Sequence, residues 1–98
     1  MVKGKRKKAV GIKYDPARDD APKVKAKGAG YLADRILNLA RKHGVPIKQD
    51  NELVETLYAL DIDQEIPPEL YRAVAEVLAF IYRLSAQLKE STTIASRR

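Results

Sequence analysis

Lys23-Val24-Lys25-Ala26-Lys27-Gly28-Ala29-Gly30, continued through Tyr31–His43 into Gly44-Val45-Pro46-Ile47-Lys48, reads as strand, helix, strand. Lys23–Lys27 alternates without a fault, so Val24 and Ala26 are expected on a core face and the lysines in water. Glycines at 28 and 30 suit a tight turn from strand into helix. They make no phosphate loop, because neither a full Rossmann pattern nor a Walker lysine-serine follows. From Tyr31 to His43 the apolar positions Leu32, Ile36, Leu39 and Ala40 repeat at helical spacing. Arg41, Lys42 and His43 suit the negative end of that helix, and Gly44 suits a left-handed cap. Pro46 has no amide hydrogen, which places it at a strand start or on an edge. The unit is βαβ, with parallel strands and a right-handed crossover.

Upstream, Ala9-Val10-Gly11-Ile12-Lys13-Tyr14 reads as another strand with Val10, Ile12 and Tyr14 on one face. Asp15–Pro22 is a turn-rich loop. Downstream, Asp50 or Asn51 caps a second helix that carries Leu53, Val54, Leu57 and Tyr58 on one side. Leu60-Asp61-Ile62-Asp63 fits either a loop or a short extended piece. Ile66-Pro67-Pro68-Glu69 opens the strongest helix, with Pro68 at a first helical position. Its stripe is Leu70, Val74, Val77, Leu78, Ile81 and Leu84. From Ser85 to Arg98 the pattern is lost, and a fraying helix end and tail are expected there. The organisation predicted is a basic disordered tail over 1–8, one domain over 9–84 and a tail over 85–98. The fold class is α/β: a small mixed sheet containing the βαβ unit, flanked by about three helices.

The 98 residues carry a net charge of +6 and no cysteine. The absence of cysteine excludes disulfides, thiolate metal sites and thiol nucleophiles. No apolar run approaches the roughly 18–20 residues of a membrane span, and the basic start is not followed by a secretory apolar stretch. The basicity sits at the ends: Met1–Lys8 carries +5, whereas Ala9–Leu88 sums to −1. That body is two-sided, with +5 over Ala9–Lys48 and −6 over Gln49–Leu88.

The chemical inventory points away from catalysis. His43 is the single histidine, so no ligand pair exists for a transition metal, and a dipole partner at a helix end is its expected role. Ser85, Ser91 and Ser96 fall late and stand away from any base. Asp61, Asp63 and Glu65 lack the calcium-loop pattern. No catalytic, cofactor-binding or metal residues are assigned, and an interaction module is the expectation.

Several segments together resemble one family. Ala9-Val10-Gly11-Ile12-Lys13-Tyr14-Asp15, Ala21-Pro22-Lys23-Val24 and Ala26-Lys27-Gly28 are similar to the cytoplasmic C-terminal domain of the FlhB/YscU family, the substrate-specificity switch proteins of flagellar and virulence type III export. His43-Gly44-Val45-Pro46-Ile47, Gln64-Glu65-Ile66-Pro67-Pro68-Glu69-Leu70-Tyr71 and Ala73-Val74-Ala75-Glu76-Val77-Leu78-Ala79 continue the resemblance in order. Family members carry a self-cleaving Asn-Pro-Thr-His, which here would fall on Gly4-Lys5-Arg6-Lys7. Gly4 has no side-chain amide, and neither Asn38 nor Asn51 precedes a proline, so self-cleavage by that route is not expected. Neither the family's membrane half nor the strand preceding the cleavage loop is expected in this sequence.

The resemblance implies a stand-alone counterpart of the downstream cleavage product, docking on the export gate. Its expected partners are export-apparatus proteins and export substrates. The expected place is the cytoplasm, at the periphery of the inner-membrane gate, with the membrane reached only through the apparatus. The family's recognition surface corresponds to Ala21, Pro22, Ala75 and Leu78. The missing first strand should leave a sheet edge near Val10–Tyr14, open to a strand from the apparatus or a second copy. The alternative is a small nucleic-acid-binding domain that uses Met1–Lys8 with Lys23, Lys25 and Lys27. It lacks aromatic side chains beside the basic run.

Overall fold

The computed structural model describes residues 6–14, 20–76 and 91–96. Four strands form one sheet: β1 (Lys8–Lys13), β2 (Lys23–Ala29), β3 (Ile47–Gln49) and β4 (Ser91–Ala95). Helices α1 (Tyr31–Lys42) and α2 (Asn51–Tyr58) follow β2 and β3. A 3-10 turn over Pro68–Leu70 then leads into α3, described over 71–76. The strand order is β2-β1-β4-β3. β1 is antiparallel to both β2 and β4, and β3 is parallel to β4. The two strands of the βαβ unit therefore do run parallel, but β1 and β4 stand between them.

β4 corrects two expectations. The expected tail holds a strand at 91–95, and the gap expected beside Val10–Tyr14 is filled by it, with Ala9 opposite Ala95 and Lys13 opposite Ser91. Thr92, Thr93, Ile94 and Ala95 are all buried. A strand covered on both faces shows no polar alternation, which is why Ser-Thr-Thr-Ile-Ala gave no strand signal. Its β-branched trio nevertheless suits a pleated buried surface. Lys8 is the first residue of β1, so the expected tail over 1–8 also ends inside the sheet.

The sheet is covered on both faces. Val10, Ile12, Val24 and Ile94 pack with Leu53, Val54, Leu57, Ile66 and Val74 on the α2 and α3 side. On the other side Ala9 and Ala95 meet Ala33 and Leu37 of α1. Large side chains fill one layer and alanines the other, which lets α1 lie close to the strands. Gly28 belongs to this close approach, because a Cβ there would stand 2.7 Å from the Leu32 Cβ.

Two faces differ from the sequence reading. In α1 the buried residues are Ala33, Leu37 and Ala40, while Leu32 and Leu39 are 56% and 48% exposed. Small residues win the inner face because the backbone approaches there. In β2 the ladder shifts: Gly11 faces Ala26, but Ile12 faces Val24, so Lys25 is looped past. One extra residue reverses the alternation. Val24 enters the α2 layer, Ala26 turns toward α1, and Lys27 is brought inward opposite Val10.

Other expectations hold. Asp50 caps α2, its Oδ1 accepting from the Leu53 N–H at 3.0 Å. Gly44 adopts φ +72° after α1. Val45 N–H donates to Ala40 O and Gly44 N–H to Arg41 O, which closes a Schellman cap. Pro46 begins the approach to β3, and its carbonyl accepts from the Thr93 N–H at 3.0 Å and from Thr92 Oγ1 at 3.3 Å. Leu60–Asp63 forms a turn with Asp63 at φ 69°. Pro68 opens the 3-10 turn, and Val74 is buried. The stripe positions Val77, Leu78, Ile81 and Leu84 lie outside the described residues.

Candidate partner-binding surface

The segment 63–66 ties β2 to the start of α3. Val24 N–H donates to Gln64 O at 3.1 Å, Ile66 N–H donates to Pro22 O at 2.8 Å, and Asp63 N–H donates to Val24 O. An isolated antiparallel bridge joins Lys23 and Glu65. Ile66 is buried, and Pro67-Pro68 immediately after it sends the chain into α3. One stretch of backbone thereby fixes both the loop before β2 and the helix beside it.

Between them lies a groove of about 200 Å³, lined by Tyr14, Asp20, Pro22, Tyr71, Val74 and Ala75. Its volume is below the roughly 300–1,000 Å³ of pockets that enclose a small molecule. The floor is the buried Val74, and Ala75 is an exposed small residue. Two tyrosines and one proline ring supply flat apolar walls, and among the described residues Asp20 is the only charged one in the lining. The chemistry suits one or two apolar side chains of an extended peptide, with phenolic hydroxyls and a carboxylate available to its backbone N–H groups.

The four sequence candidates separate here. Pro22 and Ala75 line the groove together. Ala21 is buried, 2% exposed, and is not part of the lining. Leu78 lies outside the described residues. Tyr14, Asp20, Tyr71 and Val74 were not among the candidates. Tyr71 and Val74 carried a signal, because Tyr71 sits four positions before Ala75 and three before Val74 on the same helix.

The basic strand is largely occupied by internal contacts. Lys25 Nζ donates to Asp63 Oδ1 at 2.6 Å. Lys27 Nζ donates to Tyr58 O and Leu60 O at 3.1 and 2.7 Å, closing the end of α2. Lys8 pairs with Glu55 at 3.0 Å. Lys8 and Lys27 also stand 5.5 and 5.3 Å from the Tyr58 ring centroid. Lys25–Asp63 thus joins the two oppositely charged halves of the body, and Lys8–Glu55 joins the basic start to the acidic half. The hydrogen bond and charge of Lys25 hold the Asp63 carboxyl below its ordinary 3.8.

A second, mostly apolar groove of about 230 Å³ lies under α1, bordered by Ile36, Leu39, His43 and the facing pair Gly11 and Ala26. His43 follows α1 as its C-cap residue, with its backbone N–H bonded to the last turn. Among the described residues no three His, Cys, Asp or Glu side chains gather as a metal site. No described helix is long and apolar enough to cross a membrane.

Comparison with known proteins places these features in a family. A family model described as the FlhB HrpN YscU SpaS family matches residues 6–81. The uncharacterized protein YlqH of Bacillus subtilis is 47% identical over 83 residues, covering 85% of this chain and 89% of YlqH. The flagellar biosynthetic protein FlhB of Aquifex aeolicus is 40% identical over 74 residues, covering 74% of this chain but 21% of FlhB. The chain thus spans about a fifth of that FlhB. The crystal structure of the cytoplasmic domain of FlhB from Shewanella putrefaciens superposes with a TM-score of 0.76 at 38% identity, covering 83% of this chain and 66% of that one.

Proposed function

The chain belongs to the FlhB HrpN YscU SpaS family, and from that premise we propose that it is a protein-binding component of flagellar or type III protein export. It resembles the post-cleavage C-terminal part of the substrate-specificity switch and does not cleave itself. The observation that carries this reading is the groove. Pro22 and Ala75, far apart in sequence, line one apolar depression with Tyr14 and Tyr71. In this reading the groove receives extended segments of export-apparatus proteins or export substrates. The chain works in the cytoplasm, at the face of the membrane-embedded gate.

The absence of self-cleavage rests on chemistry. The route needs an asparagine amide before a proline, and the aligned position is Gly4. The neighbouring Lys7 is engaged otherwise, its Nζ bonded to Asp34 at 2.8 Å and its carbonyl accepting from the Gly30 N–H at 2.7 Å. The nucleic-acid reading draws less support, since Lys25 and Lys27 are both committed to intramolecular partners.

The test is export in cells whose full-length family member has lost its C-terminal domain. Expression of this chain should restore secretion, and Ala75→Asp should abolish the restoration while leaving the melting temperature unchanged. No restoration, together with no retention of any export component in a pulldown, overturns the proposal.

A further inference from the structure

We propose that the outer face of α1 is a docking surface, separate from the groove beside α3, and that its occupant is an acidic amphipathic helix of a protein partner. Five large apolar or aromatic side chains stand exposed among the described residues, and three of them, Tyr31, Leu32 and Leu39, belong to α1. Exposed apolar surface gathered in this way marks an interaction site, whereas single exposed residues do not. Leu32, Ile36, Leu39 and His43 follow one another at spacings of four, three and four residues, which puts them on one stripe of the helix. Ile36, Leu39 and His43 wall the groove under α1, with the small residues Gly11 and Ala26 on its sheet side. A side chain from outside can thus enter between helix and sheet. The groove is smaller than the roughly 300–1,000 Å³ that encloses a small molecule. Being concave, it fits a protruding protein side chain better than the flat surface of a bilayer.

The rim sets the charge of the occupant. Arg35 follows Leu32 by three residues and Lys42 follows Leu39 by three, so both border the stripe, roughly 10.5 Å apart along the helix. β1 places Ala9 against α1 and Gly11 in the groove, and strand alternation carries Lys13 to the same side, at the foot of the sheet. There it stands opposite Lys23, a like-charge pair that costs stability. Lys13, Arg35 and Lys42 enter no ion pair among the described residues. The one carboxylate of α1, Asp34, lies around the helix from the stripe and is held by Lys7. Glu52 and Glu55 belong to α2, which packs on the opposite face of the sheet. An apolar groove with a basic rim is complementary to an apolar stripe flanked by carboxylates. A helix suits the site better than a strand, because the neighbouring edge strand β2 is already bonded through Val24 to Asp63 and Gln64. The fitting helix carries aliphatic residues at i, i+3 or i+4, and i+7, with carboxylates two turns apart.

The inference stands apart from the export reading, which uses the groove beside α3. The probe is a labelled synthetic peptide of about 18 residues, long enough to hold a helix, with a leucine stripe flanked by glutamates. Its control carries lysines in place of the glutamates. Fluorescence anisotropy on the full chain reads the binding. The wild type should bind the glutamate helix at least about tenfold more tightly than the lysine helix, and the preference should shrink as salt rises from about 50 to about 500 mM. Leu39→Asp should weaken capture at least about tenfold by removing an apolar wall. Arg35→Glu together with Lys42→Glu should reverse the preference toward the lysine helix. All three positions are exposed, so thermal melts of these variants should match the wild type. Leu39→Gln, read in the same way, serves if the aspartate variant loses its fold. No capture of the glutamate helix, equal capture of both helices, or capture indifferent to the Leu39 variants overturns the inference. Leu39-dependent binding to phosphatidylserine vesicles without peptide capture overturns it in favour of a membrane surface. Leu39-dependent self-association in sedimentation velocity that excludes the peptide overturns it in favour of a second copy.

Discussion

Ile94→Ala separates a structural strand from a loose chain end. Ile94 is fully buried in the middle of β4, opposite Val10 on β1 and Lys48 on β3, inside the cluster that holds Val54 and Leu57. The substitution removes Cγ1, Cγ2 and Cδ1, worth about 2.4 kcal/mol at roughly 0.8 kcal/mol per buried methylene. The layer between strand and helix cannot fully collapse, so a cavity cost raises the loss to about 3–4 kcal/mol, within the range seen for Ile→Ala in cores. Domains hold roughly 5–15 kcal/mol in all, so the variant keeps a folded state with little in reserve. At about 4–8 °C per kcal/mol the melting temperature falls by about 12–32 °C. Urea denaturation followed by circular dichroism measures the loss, with the midpoint moving and the slope m unchanged. A tail that makes no core contacts predicts a change within about 0.5 kcal/mol. A measured loss below about 1 kcal/mol would refute the placement of Ile94 in the core and the central position of β4 with it.

Four further outcomes follow from the packing and charge. Gly28→Ala should cost about 1–3 kcal/mol in the same denaturation assay, because the new Cβ meets Leu32 backbone as well as side chain. Lys27→Met should cost about 2 kcal/mol by removing a charged donor from two carbonyls. Lys25→Met, which breaks an exposed pair, should move the denaturation midpoint less than Lys27→Met does. The lowered Asp63 carboxyl sets an acid limb: its contribution is present above its ordinary 3.8 and is lost as pH falls through the depressed folded value. Asp63→Asn should therefore flatten the decline in melting temperature below about pH 4, and an unchanged acid limb would show that the Lys25 contact adds nothing.

Local signals in the sequence located most elements. Alternation marked β1, the Asp50 cap and its apolar stripe marked α2, and glycines bracketed α1, because each of these depends on neighbours along the chain. The α1 face was misread for a reason of size. Leu32-Ile36-Leu39 and Ala33-Leu37-Ala40 have the same helical spacing, and only the closeness of the sheet decides for the alanines. The Lys23–Lys27 alternation was true of the sequence, yet the extra residue at Lys25 is visible only in the ladder with β1. β4 was illegible because a doubly buried five-residue strand has no period to read. Two of the six residues that line the groove, Pro22 and Ala75, were named by resemblance. Its tyrosines became part of it only when 63–66 drew the loop and α3 together.

The β1–β4 ladder joins residues from nearly opposite ends of the 98-residue sequence, Ala9 with Ala95 and Lys13 with Ser91. A helix such as α1 forms within about a microsecond from local contacts. Pairing that spans most of a chain must first close a long loop, and domains dominated by such contacts fold in about milliseconds to seconds. During synthesis, β1, β2 and both early helices leave the ribosome long before residues 91–95. Throughout that interval β1 has a free edge. The sheet closes only when β4 arrives, and until then the nascent chain is open to pairing with a wrong neighbour.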